Sequence, residues 1–208
     1  MSFSIEIDKA MVNDIKSVLS DIKNGYKNVL VTSINKTLTT AKVQATARIG
    51  NEMNLKAARI KEDFTVQKAN YSKISGAVSA KGKPVGLIQF GARDLHKGVS
   101  VQVLRSNPRT LLKHAFIARR GTKDHVFWRT GRDKVAAARK FSVGRKSTAA
   151  WPKFGDRYRM PLERLTGPRI EDIFAKPKVF DPVSIQAGHV FLQNVDAKLT
   201  EILRRHGG

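Results

Sequence analysis

Apolar residues recur at spacings of three and four between Met11 and Ile49, which is the pattern of an amphipathic helix. Asp8 is a suitable N-cap for this helix. Without a break it would be a rod of about 60 Å at 1.5 Å per residue, whereas Asn24-Gly25 would kink it or divide it into two helices. A helix this long needs an extended surface to lie on, supplied by a sheet of the same chain, a neighbouring subunit or both.

A short helix is predicted from Asn54 to Glu62, and after it the apolar period changes from about 3.6 to 2. The alternation predicts a series of strands, and the short connections between them favour antiparallel pairing. Two of the strands flank residues 119–124 and form a hairpin with a basic tip. The strands are expected near residues 74–78, 85–90, 99–103, 115–118 and 126–129.

The regular pattern fades between residues 130 and 161, where a basic stretch punctuated by Gly and Pro predicts a long loop or arm. Asp181-Pro182 then provides an N-cap followed by proline at the first helical position. An apolar stripe from Ile185 to Leu203 continues this last helix.

These elements predict an α+β fold with a long N-terminal helix, an antiparallel β-sheet with hairpins, a basic irregular arm and a C-terminal helix. The expected regions are a helical one over residues 1–64, the sheet over 65–129 and the arm with a Pro-rich connection over 130–180. Residues 181–208 form the C-terminal helix, which packs on the same domain.

The charge of the chain changes this picture, because 39 Lys and Arg against 17 Asp and Glu give a net charge of +22. Residues 101–150 carry +11 of it. A field of this sign attracts nucleic-acid phosphates, acidic proteins or anionic membranes, and net charge does not choose among them. There is no cysteine for a disulfide or thiolate site. Since no apolar run approaches the roughly 20 residues of a membrane span, we expect a protein made in the cytoplasm with no membrane partner.

The residues best placed to contact an anionic partner lie on the hairpin tip and the arm. Their spacing allows several phosphate contacts at once, and Trp128 lies near them for stacking or anchoring. Two alternatives account for the same basic residues: the arm docks on an acidic protein, or it is an ordinary solvated loop. The candidates are Arg119, Arg120, Lys123, Arg132, Lys134, Arg139, Lys140, Arg145, Lys146 and Trp151.

Other kinds of site find less support in the sequence. Residues 47–64 have the outline of a helix-turn-helix, although the second helix is short and ends in acidic residues, as in a helix packed beside a sheet. The five histidines are scattered and none pair at i, i+4, and there is neither a Gly-x-Ser-x-Gly elbow nor a phosphate-binding glycine loop. We expect no catalytic, cofactor-binding or metal-ligating residues and no small-molecule substrate.

Several short segments, in this order, resemble the prophage minor tail protein Z family, the tail-completion proteins of long-tailed bacteriophages. One is the Asn-x-Thr of Asn35-Lys36-Thr37, followed by a short basic helix from Leu55 to Ile60. The last runs from Arg159 to Pro168, where Thr166-Gly167-Pro168 suits a turn that redirects the chain or makes a subunit contact. The segments between them are residues 87–93, 98–103 and 115–118.

This resemblance implies a structural virion protein that completes the head-proximal end of a phage tail and prepares it for head joining and DNA positioning. It implies assembly into a homo-oligomeric ring, with six copies as the expected number, contacts with other tail or neck proteins, and no catalysis. Phage DNA is a further expected partner of the basic surface. The alternative is a non-specific nucleic-acid-binding protein associated with the nucleoid or with RNA.

Overall fold

The computed structural model describes residues 2–5, 9–20, 22–129 and 162–206. The chain forms two compact units, Met1–Lys83 with Pro168–Gly208, and Pro84–Gly167. The first unit contains all five α-helices of the described residues and one sheet, and the second contains two further sheets. The predicted α+β class is confirmed.

The predicted N-terminal helix is two helices, α1 (Lys9–Val18) and α2 (Gly25–Glu52). Asn24 takes a left-handed conformation with φ 59°, which an Asn side chain tolerates better than most. The next residue is Gly25, where glycine avoids crowding because a Cβ atom at this position would lie 3.1 Å from the Cβ atom of Ile22. Asp8, the expected N-cap, lies outside the described residues.

A three-stranded antiparallel sheet supports α2 in the first unit. The strands β1 (Ser2–Ile5), β2 (Phe64–Gln67) and β3 (Gly76–Ala80) occur in the order β1-β3-β2. The helix approaches the central strand so closely that a Cβ on Gly76 would lie 2.5 Å from Leu38 Cδ1 and 3.1 Å from Ile34 Cγ2. The apolar side of α2 therefore forms the centre of this unit.

The C-terminal helix α5 (Pro177–His206) runs antiparallel to α2. Near one end, Lys178 lies 2.7 Å from Glu52, and further along, the Asn194 amide donates a 3.1 Å hydrogen bond to Thr37 Oγ1. The facing residues on α5 are buried and recur every four positions. They are Val179, Val183, Ala187, Phe191 and Val195.

Two predicted helix starts are wrong. The last helix begins at Pro177 instead of after Asp181, because Val179 is buried one turn before Val183 and Phe180 packs against Phe174 at 5.6 Å. This packing keeps Pro182 inside the helix although it lacks a backbone donor.

The short helix α3 (Ala57–Glu62) begins after Lys56, so Asn54 is not its cap. A further helix, α4 (Ile170–Phe174), precedes α5 in a segment predicted to be a connection. Its Phe174 ring meets Phe64 edge-on at 5.3 Å, which attaches α4 to the end of β2.

The described part of the second unit contains two three-stranded antiparallel sheets. One contains β4 (Arg93–Leu95), β5 (Gly98–Val101) and β6 (Thr110–Lys113) in that order. The other contains β7 (Ala115–Arg120), β8 (Lys123–Arg129) and β9 (Leu162–Arg164) in that order. The predicted basic hairpin is β7 with β8.

The expected strand over residues 85–90 is wrong beyond its first two residues. Gly86 bridges Thr166, after which Leu87–Phe90 forms a 3₁₀ helix. Leu87 and Phe90, three apart, are both buried, which a single turn achieves and an alternating strand does not. Gly167 lies against the ring of Phe90, where a Cβ would approach to 2.7 Å. Thr166-Gly167 thus pairs with the chain before the 3₁₀ helix instead of forming the predicted turn.

No helix among the described residues is both long enough and apolar enough to cross a bilayer.

The close approach at Gly76 makes a prediction about stability. Gly76→Ala places a methyl group against Leu38, Ile34 and the Gln67 carbonyl, and overpacking of this kind costs about 1–3 kcal/mol of the free energy of unfolding. The control is Gly50→Ala on α2, where the new Cβ meets only Ile60 at 3.7 Å and helix propensity favours alanine by about 0.5–1 kcal/mol. Urea denaturation measures both variants. Equal effects would contradict the tight packing of α2 on β3.

Asn35 on α2 makes a second prediction. Its side-chain amide donates to the carbonyl of Ala69 at 3.1 Å, and its oxygen accepts from the Ala69 N–H at 2.9 Å. Asn35→Ala leaves both groups of the buried Ala69 backbone without this partner, which costs about 1–3 kcal/mol. The control Thr39→Ala removes an exposed hydroxyl that bonds only within α2. Denaturant unfolding should show a loss in the first variant and almost none in the second.

Candidate functional site

The β7–β8 hairpin positions the described part of the predicted anionic-partner site. Its strands pair from Ala115 with Trp128 to Arg120 with Lys123, which leaves Gly121 and Thr122 as a two-residue turn. Gly121 has φ 67°, and a positive φ at the first turn residue fits a type II′ turn, where glycine is preferred. The turn therefore brings the backbone positions of Arg119, Arg120 and Lys123 together at one end of the sheet.

Each of the two acidic residues in this sheet already has a partner. Arg119 Nε donates a 3.2 Å hydrogen bond to Asp124 Oδ1 across the hairpin. Trp128 Nε1 donates a 3.0 Å hydrogen bond to Glu163 Oε2 on β9. The strand register places these four residues on the same face of the sheet, because facing pairs and alternate residues share a face. This is the paired face.

The opposite face of the sheet has cations and rings but no carboxylate among the described residues. Lys123, His125 and Phe127 alternate along β8, and Arg164 is the register partner of Phe127. The Phe127 ring lies 6.1 Å from His125 and 6.2 Å from Phe116. We call this the cationic face. The His125 Nδ1 atom is buried there without a hydrogen-bond partner among the described residues.

The structure describes three of the ten predicted contact residues. Arg119 is engaged by Asp124, Lys123 belongs to the cationic face, and Arg120 is the register partner of Lys123. The predicted stacking residue Trp128 is held by Glu163 on the paired face. The other candidates lie outside the described residues and stay predictions: Arg132, Lys134, Arg139, Lys140, Arg145, Lys146 and Trp151.

Sequence reasoning missed Arg164 and Glu163 as parts of this site. The strand β9 has three consecutive exposed residues and no alternation of burial, so no periodic signal marks it. Its place beside β8 depends on a pairing across about thirty-five positions of the chain, as from Trp128 to Glu163. Only the register of the sheet brings these residues together.

The Asn-x-Thr segment that resembles the tail-protein family lies in the first unit, where both residues hold α2 to its neighbours. Asn35 binds the Ala69 backbone. Thr37 accepts a hydrogen bond from Asn194 on α5 and donates one to the carbonyl of Ser33. These contacts give the segment a structural role within the unit.

Comparison with protein-family models, with curated proteins and with solved structures finds no match for this chain. Among the described residues, no three His, Asp or Glu side chains cluster in a way that would hold a metal ion.

The pairing of Arg119 with Asp124 makes a prediction about anion binding. Both side chains are largely exposed, so their ion pair is worth only about 0–1 kcal/mol. Asp124→Asn should leave the melting temperature nearly unchanged while it releases Arg119 and adds one positive charge to the tip. We expect elution from a heparin column at higher salt than for the parent chain.

Asp14→Asn is the matched control, because it makes the same charge change on an exposed position of α1 in the other unit. If both variants shift elution equally, the column senses net charge only and the hairpin tip is not the contact.

Proposed function

We propose that the protein is a structural component of a bacteriophage virion that completes the head-proximal end of a long tail. It acts by assembling into a homo-oligomeric ring, and its basic second unit faces acidic neighbouring proteins or the genome. The expected number of copies is six. The protein is made in the cytoplasm of the host bacterium and then becomes part of the tail, and its role involves no catalysis.

The observation that best supports this proposal is the separation of charge within the second unit. Its described residues include ten Lys and Arg against three Asp and Glu. Two of the three carboxylates, Asp124 and Glu163, are engaged on the paired face of the sheet. The cationic face therefore has nothing of opposite sign within the sheet, and such a surface recruits an anionic partner.

The family resemblance supports the choice of a tail protein over other basic assembly proteins. Asn35 and Thr37 of the Asn-x-Thr segment each join α2 to another element. The Gly167 of the last segment lies against Phe90 with no room for a side chain. Residues of the two segments thus make packing contacts within their own units, which is consistent with the structural role that the resemblance implies.

A non-specific nucleic-acid-binding protein is the second candidate, and the cationic face favours it. Lys123 and Arg164 lie there with the rings of His125 and Phe127, and combinations of cations and rings bind phosphates and bases. Phe127 is only 6% exposed, however, so its ring offers little surface for stacking. The sheet thus fits phosphate contact better than base contact.

Light scattering of the pure protein, with and without a short DNA duplex, separates the two candidates. Measurements at about 50 and 500 mM salt span a range over which phosphate contacts weaken by orders of magnitude. Tail completion predicts one discrete oligomer whose mass does not depend on DNA, and which adds to purified tail tubes of the encoding phage in electron micrographs. A monomer or dimer that binds DNA tightly only at low salt would contradict it and support the second candidate.

A further inference from the structure

The solvent side of α5 has an apolar stripe that nothing in the described chain covers. Ile185, Leu192 and Leu203 are 63%, 46% and 42% exposed. Their spacings of seven and eleven residues place them within about 20° of one another around the helix at 100° per residue. The stripe is about 27 Å long at 1.5 Å per residue. It lies opposite the side that packs on α2, so α5 is apolar on both sides.

The middle of the same helix is locally acidic, although the whole of α5 has four Lys and Arg against three Asp and Glu. Near its ends, Lys178 and Arg205 are paired with Glu52 and Glu201. Residues 181–203 contain three carboxylates and one lysine, a net charge of −2 within a total of +22. Glu201 is engaged by Lys198 at 3.0 Å and Arg205 at 2.7 Å. The hydrogen bond from Lys198, with the charge of Arg205, lowers the pKa of Glu201 from its usual value.

The other two carboxylates of α5 flank the apolar stripe. Asp181 lies four residues before Ile185, and Asp196 lies four residues after Leu192, so each is one helical turn from a stripe residue. Both are exposed. The stripe is thus an apolar surface bordered by negative charge.

The β4-β5-β6 sheet has a face of the opposite sign. Its register aligns Arg93 with Ser100 and Leu111, and Leu95 with Gly98 and Lys113. These residues share one face because residues two apart in a strand do. Leu95 and Leu111 are 50% and 38% exposed, whereas Val99 and Val101 on the other face are buried.

The cations of this face surround its two exposed leucines. Arg93 and Lys113 are exposed on it. The Arg109 guanidinium is held against it by hydrogen bonds to Ser100 Oγ at 3.2 Å and to the carbonyls of Gly91 and Ser100 at 2.6 and 2.9 Å. Asp94 alternates to the opposite side of the sheet. This is a basic apolar face, complementary in both charge and polarity to the stripe on α5.

We propose that the apolar stripe of α5 docks on the basic apolar face of the β4-β5-β6 sheet of a second copy of this chain. This inference rests on the proposed ring assembly and names its contact. If the stripes of two copies met, the carboxylates beside them would face each other, and if two sheet faces met, their cations would face each other. Each of these symmetric pairings is therefore disfavoured. The contact is therefore heterologous, and a repeated heterologous contact forms a ring when its rotation closes.

A mixing experiment tests the contact. Ile185→Ser with Leu192→Ser removes the two most exposed of the three stripe residues, and Leu95→Ser with Leu111→Ser removes both leucines of the sheet face. Each double variant alone should be monomeric by light scattering at concentrations up to about 100 μM, where a contact with a Kd of about 1 μM would be saturated. Mixed together, they should form a 1:1 dimer and nothing larger, because only one intact stripe and one intact sheet face remain.

A charge exchange tests the electrostatic part of the contact. Asp181→Lys with Asp196→Lys, and separately Arg93→Glu with Lys113→Glu, should each weaken association at least tenfold in Kd. All four changes in one chain should restore most of the lost affinity, because the signs are exchanged and remain complementary. A quadruple variant no better than either double variant overturns the proposal.

Two control variants change other exposed positions of the first unit. Val43→Ser alters a 53% exposed valine on α2, and Lys61→Glu with Lys73→Glu reverses two exposed charges. Both controls should assemble as the parent chain does. Far-ultraviolet circular dichroism and denaturant unfolding of every variant separate loss of the contact from loss of the fold.

The outcomes distinguish this contact from the ring function itself. A DNA-independent oligomer that survives in both serine variants overturns the contact and leaves ring assembly standing. A parent chain that stays monomeric throughout overturns the contact, and if it also fails to add to tail tubes, the proposed function fails with it. In a further outcome, the mixed dimer does not form, while the variant that lacks the sheet face and keeps the stripe still dimerises alone. This outcome identifies a symmetric contact between stripes and also contradicts the proposal.

Discussion

The packing of α2 on three neighbours is the constraint on which the first unit depends. One side of the helix lies on β3, where Gly76 leaves room for Ile34 and Leu38. Another side faces α5 through Thr37, and Asn35 binds the backbone after β2. Because the helix is covered in several directions, even polar side chains on it are buried. Thr37 and Thr46 satisfy their hydroxyl groups by donating to carbonyls of α2 itself.

Helical periodicity predicted four of the five described α-helices, whereas strand alternation predicted only four of the nine described strands, β3, β5, β7 and β8. Residues 29–49 show the pattern clearly because the buried side of α2 is continuous, and β5 shows it because Val99 and Val101 are buried on one face. The strand prediction over residues 85–90 is wrong because a short apolar run fits a strand or a helical turn equally well. The start of α5 was missed because Asp181-Pro182 carries a strong local signal, which the burial of Val179 overrides. Tertiary packing decided both cases.

The site could be predicted in part, because charge is visible in composition and its arrangement is not. The sequence places Arg119 and Lys123 in a six-residue hairpin tip, whereas the structure extends both strands to a two-residue turn and makes them strand residues beside it. It does not reveal that the two carboxylates of the sheet share one face. That arrangement depends on the register of β8 with β7 and β9, where a shift of one residue would move Asp124 to the other face. The separation of charge is thus a consequence of strand pairing.

A second separation of charge, between α5 and the β4-β5-β6 sheet, bears on how so basic a protein could self-assemble. Copies with a net charge of +22 repel one another at long range, yet at physiological salt this repulsion is screened beyond about 8 Å. The charges at the contact then decide whether two copies associate. Asp181 and Asp196 make the exposed side of α5 locally negative, and Arg93 and Lys113 make one sheet face locally positive. The proposed head-to-tail contact uses none of the residues of the cationic face, so assembly and the recruitment of an anionic partner would not compete for the same side chains.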